Sequence, residues 1–368
     1  MKYLSEYRDR ELVETYLSQL KKITTRPWTL MEICGGQTHG LVKNGILDLL
    51  PDSIRMVHGP GCPVCVTPLS LIDKAIYLAA QKEVILCTYG DMLRVPGSHR
   101  SLQELRARGS DIRILYSPLE AVEIAIKNTS REVVFFAVGF ETTAPANALS
   151  VLHAHRLGLK NYSILTSQVL VPPAMEAILQ DENNVVQGFL AAGHVCTIVG
   201  MDEYYPLVNK YRIPIVVTGF EPVDLLQGIL MVVSQLEKGE HRLENQYSRV
   251  VRPHGNPHAQ EVIGEIFEVS DRQWRGIGTI PSSGYELKQS YHRYDANRKF
   301  SVPTPEVRES PDCIAGEILR GIKKPFQCPV FGKGCTPLNP LGAPMVSSEG
   351  TCAAYYQFSN QGTTVSSS

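Results

Sequence analysis

Short, nearly unbroken apolar runs recur along the first two thirds of the chain, each closed by a turn and followed by an amphipathic stretch. They cover residues 29–33, 54–58, 84–88, 112–116, 133–138, 162–165, 188–191 and 215–218. Continuous rather than alternating apolarity predicts strands buried on both faces, as in a parallel sheet. Helical periodicity fills the gaps, at 68–80 and 101–108 for example, and residues 11–23 place Leu12, Val13, Tyr16, Leu17, Leu20 and Ile23 on one face. Strand alternating with helix predicts an α/β fold. Eight units exceed one small sheet, and they divide into two groups of four near residues 120–130. An internal echo supports two related halves: Val138-Gly139-Phe140-Glu141 and Thr218-Gly219-Phe220-Glu221 each follow an apolar run and precede a proline-bearing helix start. The expectation is two doubly wound, Rossmann-like parallel-sheet domains, at 1–122 and 123–238, in preference to a closed eight-stranded barrel. A longer helix over 222–239 carries Leu225, Leu226, Ile229, Leu230 and Val233 on its apolar side. Residues 239–368 then change character. Arg, Tyr, His and Pro dominate up to residue 310, with one amphipathic helix near 258–267, and a cysteine-bearing tail follows, so this region reads as a smaller C-terminal iron–sulfur domain. Residues 359–368 are polar and predicted to be disordered.

Composition narrows the functional classes. The 368 residues are 43% apolar and 20% charged, an ordinary globular mixture. A net charge of -1 gives no bulk attraction to nucleic acid or acidic lipid, so neither is expected as a partner. Residues 1–10 lack the apolar core of a signal peptide, and the longest apolar run, 225–236, is shorter than the roughly 20 residues that span a bilayer. A cytoplasmic protein without a membrane segment is expected. In that compartment the 9 cysteines should not serve as structural disulfides.

The cysteines fall into three groups. Cys34, Cys62 and Cys65 lie in glycine-rich turns after the first two apolar runs. Cys313, Cys328, Cys335 and Cys352 crowd the C-terminal region. Cys87 and Cys196 lie in or beside apolar segments and read as buried small hydrophobes. In Gly59-Pro60-Gly61-Cys62-Pro63-Val64-Cys65 a two-residue spacer lets the sulfurs meet, which favours a redox dithiol over a tight turn with incidental thiols. Cys34, in Cys34-Gly35-Gly36-Gln37-Thr38-His39, is open to three readings: nucleophile, soft-metal ligand or buried strand-end thiol. The four C-terminal cysteines are separated by 14, 6 and 16 residues. Structural zinc usually draws two close cysteine pairs, which are absent here, and the Cys328-Pro329 step is common at cluster ligands. A [4Fe–4S] cluster is therefore favoured over zinc and over unrelated thiols.

The remaining candidates sit where ligands gather in open α/β sheets, outside the carboxyl ends of strands. His39 reads either as a helix-start residue or as a proton carrier. His194 divides evenly between a bland and a functional role, and His58 reads as a satisfied strand-end histidine. Glu141 and Glu221 could be general bases or helix N-terminal charges, and Asp91 is a weaker candidate. No GxGxxG follows the first strand and no GxxxxGK[ST] occurs, so a nucleotide site has no motif support.

Taken together, Cys34-Gly35-Gly36-Gln37-Thr38-His39, the Gly59 to Cys65 stretch, Gly139-Phe140-Glu141-Thr142-Thr143 and Met345-Val346-Ser347-Ser348-Glu349-Gly350 resemble the hydrogenase maturation factor HypD family, over residues 5–357. The resemblance implies two α/β domains plus a cluster domain, and a role in assembling the Fe(CN)2CO unit of [NiFe] hydrogenases. It implies as partners a HypC-type small chaperone and a HypE-type cyanide donor. It places a [4Fe–4S] cluster on Cys313, Cys328, Cys335 and Cys352, a redox pair at Cys62 and Cys65, and the iron under construction on Cys34. The expected mechanism is a relay from the cluster through the Cys62/Cys65 dithiol to iron at Cys34, with His39, Glu141 and His194 as further catalytic candidates. A passive iron-binding platform is the alternative, and a disulfide reductase similar to ferredoxin–thioredoxin reductase is a weaker one.

Overall fold

The computed structural model describes residues 6–303, 307 and 309–359. The disorder expected over 359–368 lies, from residue 360, outside the described residues. Eleven strands form two open sheets among the described residues: β1 (Trp28–Glu32), β2 (Ile54–His58), β3 (Val84–Thr88), β4 (Ile112–Ile114), β5 (Glu132–Gly139), β6 (Tyr162–Val169), β7 (Gly188–Ala192), β8 (Ile215–Thr218), β9 (Leu243–Asn245), β10 (Phe267–Trp274) and β11 (Gly278–Leu287). The first sheet has the order β2-β1-β7-β8-β9, and every pairing in it is parallel. The second has the order β10-β11-β6-β5-β3-β4, in which β6, β5, β3 and β4 are parallel and the β10–β11 hairpin joins antiparallel. All eight apolar runs are strands, and the open α/β architecture holds in preference to the barrel.

The grouping of the strands differs from the expected division at 122/123. The chain lays down β1 and β2, leaves to build β3 to β6 of the second sheet, and returns for β7, β8 and β9. β3 and β4 therefore pair with β5, and β1 pairs with β7. Apolar runs report burial on both faces but carry no information on which neighbour a strand takes. Residues beyond 239 are not set apart from the sheets either, since β9 closes the edge of the first and β10–β11 the edge of the second.

An apolar layer between the two sheets holds the molecule together. Met31, Ile33, Val57, Phe189, Ala191, Ile215 and Val217 of the first sheet's side meet Phe140, Val169, Trp274 and Ile280 of the second, and Cys62, Cys65 and Val66 are buried in the same cluster. On the outer side of the first sheet, the helix Arg10–Ile23 packs on the helix Pro222–Lys238 and buries Leu20 against Leu225, Leu226 and Ile229. The C-terminal region ends in the helix Thr351–Phe358, which returns to pack on the helix Gly35–Lys43. No helix among the described residues is long and apolar enough to cross a membrane.

Candidate functional site

In the first sheet the strand order reverses between β1 and β7, and that crevice at the carboxyl ends is where open α/β sheets take ligands. β1 delivers Cys34 there, at the N-cap of the helix Gly35–Lys43, and β7 delivers His194 in the helix Gly193–Val199. Gln37 spans the gap: its buried Nε2 donates to Ala191 O at 3.0 Å and to Thr218 Oγ1 at 2.6 Å. The neighbouring strand β2 leads into the Gly59 to Cys65 turn. Gly35 N–H donates to Gly61 O at 2.8 Å. A Cβ on Gly61 would lie 2.4 Å from both Cα and N of Cys34, so only glycine lets the two turns touch.

Cys62 and Cys65 form a disulfide with their Cα atoms 5.2 Å apart. Cys62 caps the short helix Pro63–Val66, and its sulfur accepts from Cys65 N–H at 3.3 Å. Both are buried, at 3% and 0% exposure, which seals the disulfide from any large partner. Cys34 is partly exposed. Its desolvated surroundings and the nearby Glu349 carboxylate push its thiol up to about 12, which favours a neutral thiol over a ready nucleophile.

The turn Met345 to Gly350 completes this face. His39 Nδ1 shares a hydrogen bond of 3.0 Å with Ser348 O, and its ring meets Phe358 edge-on with centroids 5.2 Å apart. His39 thus anchors the C-terminal turn. His194 stacks on Phe220 with centroids 3.9 Å apart, and Phe220 in turn covers Gly36; desolvation holds the His194 pKa below its ordinary value. The expected satisfied role of His58 is found: it is buried between Glu32 and Tyr355. Glu221 pairs with Arg8 and caps the helix Pro222–Lys238, a structural use.

Glu141 follows β5, at the second sheet's own reversal between β5 and β3. Its Oε1 accepts from Val171 N–H at 2.8 Å, and Oε2 is buried without a partner among the described residues. Burial raises its pKa to about 8, so the carboxyl is largely protonated at neutral pH. Cys196 and Tyr204 lie beside it, both fully buried. Cys87 is likewise buried, at 0% exposure.

Cys313, Cys328, Cys335 and Cys352 line one small cavity together with Ile314, Ala315, Ile318, Val330, Phe331 and Met345. Burial and the other three cysteines raise the Cys352 thiol well above its ordinary value. No three His, Cys, Asp or Glu side chains among the described residues close on a single metal-ion position. Four thiols spread around an apolar cavity suit a multi-atom cluster better than one tetrahedral zinc, whose sulfurs would sit ~2.3 Å from the ion. The helix Pro63–Val66 packs against the turn Ala343–Met345 at the edge of this cavity.

Sequence reasoning missed Glu32, Gln37 and Glu349 as parts of this face. Glu32 carried one usable signal, a charged residue inside an otherwise apolar run.

The fold and the site define a two-sheet α/β protein that brings a lone thiol, a C-x-x-C disulfide and a four-cysteine cavity together. Comparison with known proteins gives this class its family. The HypD model, described as "Hydrogenase formation hypA family", matches residues 11–359. The chain is 46% identical to "Hydrogenase maturation factor HypD2" of Bradyrhizobium diazoefficiens over 368 residues, covering 97% of each chain. It is 46% identical to "Hydrogenase maturation factor HypD" of Azotobacter vinelandii over 370 residues, covering 98% of each. It is 43% identical to the protein of that name in Escherichia coli over 369 residues, covering 98% of this chain and 99% of the other. The chain belongs to the HypD family of hydrogenase maturation factors.

Proposed function

We propose that this maturation factor holds an iron atom at Cys34 while cyanide and carbon monoxide are attached to it, with Cys62 and Cys65 supplying reducing equivalents beside it. The observation that carries this reading is the direct contact of the two turns, with Gly61 against the Cys34 backbone and Cys62 the next residue along. An iron(II) centre bearing cyanide and carbon monoxide is soft, and a thiolate suits it. The metal itself would displace the Cys34 proton, which the protein alone holds in place.

Closing the Cys62–Cys65 disulfide releases two electrons and two protons from the dithiol; reopening it takes up the same. With both sulfurs buried, the electrons that reopen it must arrive through the protein, and this disfavours a free-standing reductase of protein disulfides. The four-cysteine cavity fits a [4Fe–4S] cluster on Cys313, Cys328, Cys335 and Cys352, which would supply single electrons on the far side of the helix Pro63–Val66. The partly exposed rim formed by Cys34, His39, His194 and Glu349 is the side on which a HypC-type chaperone and a HypE-type cyanide donor would approach, in the cytoplasm where thiols stay reduced.

Infrared spectra of the anaerobic complex with the HypC-type partner test this. Cys34→Ala should lose the CN and CO bands while retaining partner binding. The double variant Cys62→Ser/Cys65→Ser should keep its C-terminal iron and fail to load the Fe(CN)2CO unit. Normal loading by the double variant would replace the reading with a passive platform.

A further inference from the structure

The tip of the β10–β11 hairpin lies between the two sulfur centres. Arg275 N–H donates to Val66 O at 2.8 Å, one residue beyond Cys65. Gly276, at φ +77°, lies so close to Gly316 that a Cβ on it would meet the Gly316 Cα at 2.7 Å, and Gly316 is three residues from Cys313. Trp274, 1% exposed, packs in the same apolar cluster as Cys62 and Cys65. Residues 274–276 therefore touch the dithiol turn on one side and the cavity-lining segment on the other.

Arg275 brings a charge to this position. Its side chain is 7% exposed, a burial that guanidinium groups accept only with partners. Nε and Nη2 donate to Glu309 Oε2 at 3.2 and 2.7 Å. Nη1 is buried with no partner among the described residues. Glu309, at 47% exposure, is the exposed half of the pair, so its charge is screened while that of Arg275 is not. Glu309 in turn lies four residues before Cys313, on the segment that leads into the cavity lining.

We propose that Arg275 is the positioning residue of the four-cysteine cavity, its buried guanidinium offsetting the negative charge of a thiolate-bound cluster while its backbone fixes the hairpin tip against the dithiol turn. The assignment rests on the cluster reading given above. A cluster held by four thiolates gains negative charge on reduction, and cluster potentials follow net charge, hydrogen bonding and solvent exposure. A buried cation at the hairpin tip, packed against the cavity-lining segment, favours the reduced form. Arginine suits the place because its charge persists at any working pH.

The test uses the full-length chain prepared anaerobically, with Arg275→Met, Arg275→Lys and Glu309→Gln beside the parent. Potentiometric titration followed by electron paramagnetic resonance reads the cluster midpoint potential, and near-ultraviolet circular dichroism checks the fold. Arg275→Met should shift the reduction equilibrium about tenfold toward the oxidised form, 59 mV lower for a one-electron couple. Glu309→Gln, which leaves the guanidinium less compensated, should shift it the opposite way, and Arg275→Lys should stay near the parent. A purely structural salt bridge predicts the same direction for Arg275→Met and Glu309→Gln, and that result, or no shift in either, overturns the assignment. Absence of iron and of a visible band in the parent would overturn the cluster reading and the assignment with it, whereas an intact cluster with no shift overturns the assignment alone.

Discussion

Glu32 and His58 share a hydrogen bond of 2.6 Å at positions 0% and 2% exposed, next to the turn that carries Cys34. The Glu32 carboxyl also accepts from Thr38 Oγ1 at 2.5 Å and from Cys34 N–H at 3.0 Å, while His58 Nε2 reaches Tyr355 OH at 2.8 Å. One buried network thus ties β1, β2 and the C-terminal helix together, three residues before the tyrosine of which lies Cys352. Removing one member of a buried pair strands the other. Glu32→Ala should cost ~3–5 kcal/mol of unfolding free energy. Tyr355→Phe, which leaves one histidine nitrogen unpaired, should cost ~1–3 kcal/mol. Urea unfolding monitored by circular dichroism checks both, and equal costs would contradict the network.

A second prediction concerns the contact of the two turns. Gly61→Ala places a methyl group 2.4 Å from the Cys34 backbone, closer than any side chain tolerates, and the obstacle is main chain rather than a movable side-chain end. The turns must part. Overpacking of this kind costs ~1–3 kcal/mol, which the molecule should survive. Under the proposed function the variant should fold and keep the C-terminal iron, yet lose the CN and CO bands as expected for Cys34→Ala. A Gly61→Ala chain that loads normally would show that the contact is dispensable.

Glu141 sets a pH dependence of defined sign. Its folded pKa, about 8, lies above the ordinary carboxyl range because burial outweighs the hydrogen bonds that favour the charged form. The folded state therefore holds this proton more tightly than the unfolded chain. The resulting stability is fully present below the unfolded pKa of ~4.3 and is lost as pH rises through the folded value. Glu141→Gln keeps an acceptor for Val171 N–H and removes the titration. Urea midpoints of the parent chain should fall relative to those of Glu141→Gln between pH 5 and pH 8.5. A constant difference across that range would show that the carboxyl is already ionised at the lower pH.

How much of this was legible in the sequence varies by level. The eight buried strands were, because apolar runs of this length between glycine turns have few other uses. The strand-end positions of Cys34, Cys62, Glu141 and His194 followed from the same reading. Strand neighbours were not: β1 pairs with β7 across more than a hundred residues, and nothing local encodes that choice. The β10–β11 hairpin was missed because it is an edge ribbon. Val269 is 55% exposed and few of its strand's residues are buried, so neither continuous apolarity nor clean alternation marks it. Arg275 was invisible for the same reason, since its placement depends on Val66 and Gly316, which the fold brings beside residues 275 and 276. Glu32 was hidden inside an apolar strand, where a lone carboxylate reads as a surface residue until its histidine is located.

The last prediction follows from the protonation of Cys34. Desolvation and the neighbouring Glu349 raise its thiol to about 12, and Glu349 is itself raised by desolvation and by Asp91. A metal-free Cys34 should therefore react slowly with iodoacetamide at pH 7.5, despite being partly exposed, because the thiolate is the reactive form. Glu349→Gln removes a negative charge that opposes ionisation, so the thiol pKa should fall and alkylation of Cys34 at that pH should quicken several-fold. Iron(II) binding should release a proton, measurable with an indicator dye in weakly buffered anaerobic solution, and should protect Cys34 from alkylation. Fast alkylation of the metal-free parent, with no proton released on iron binding, would mean that Cys34 is already a thiolate. It would then act as a free nucleophile rather than as a site that only a metal switches on.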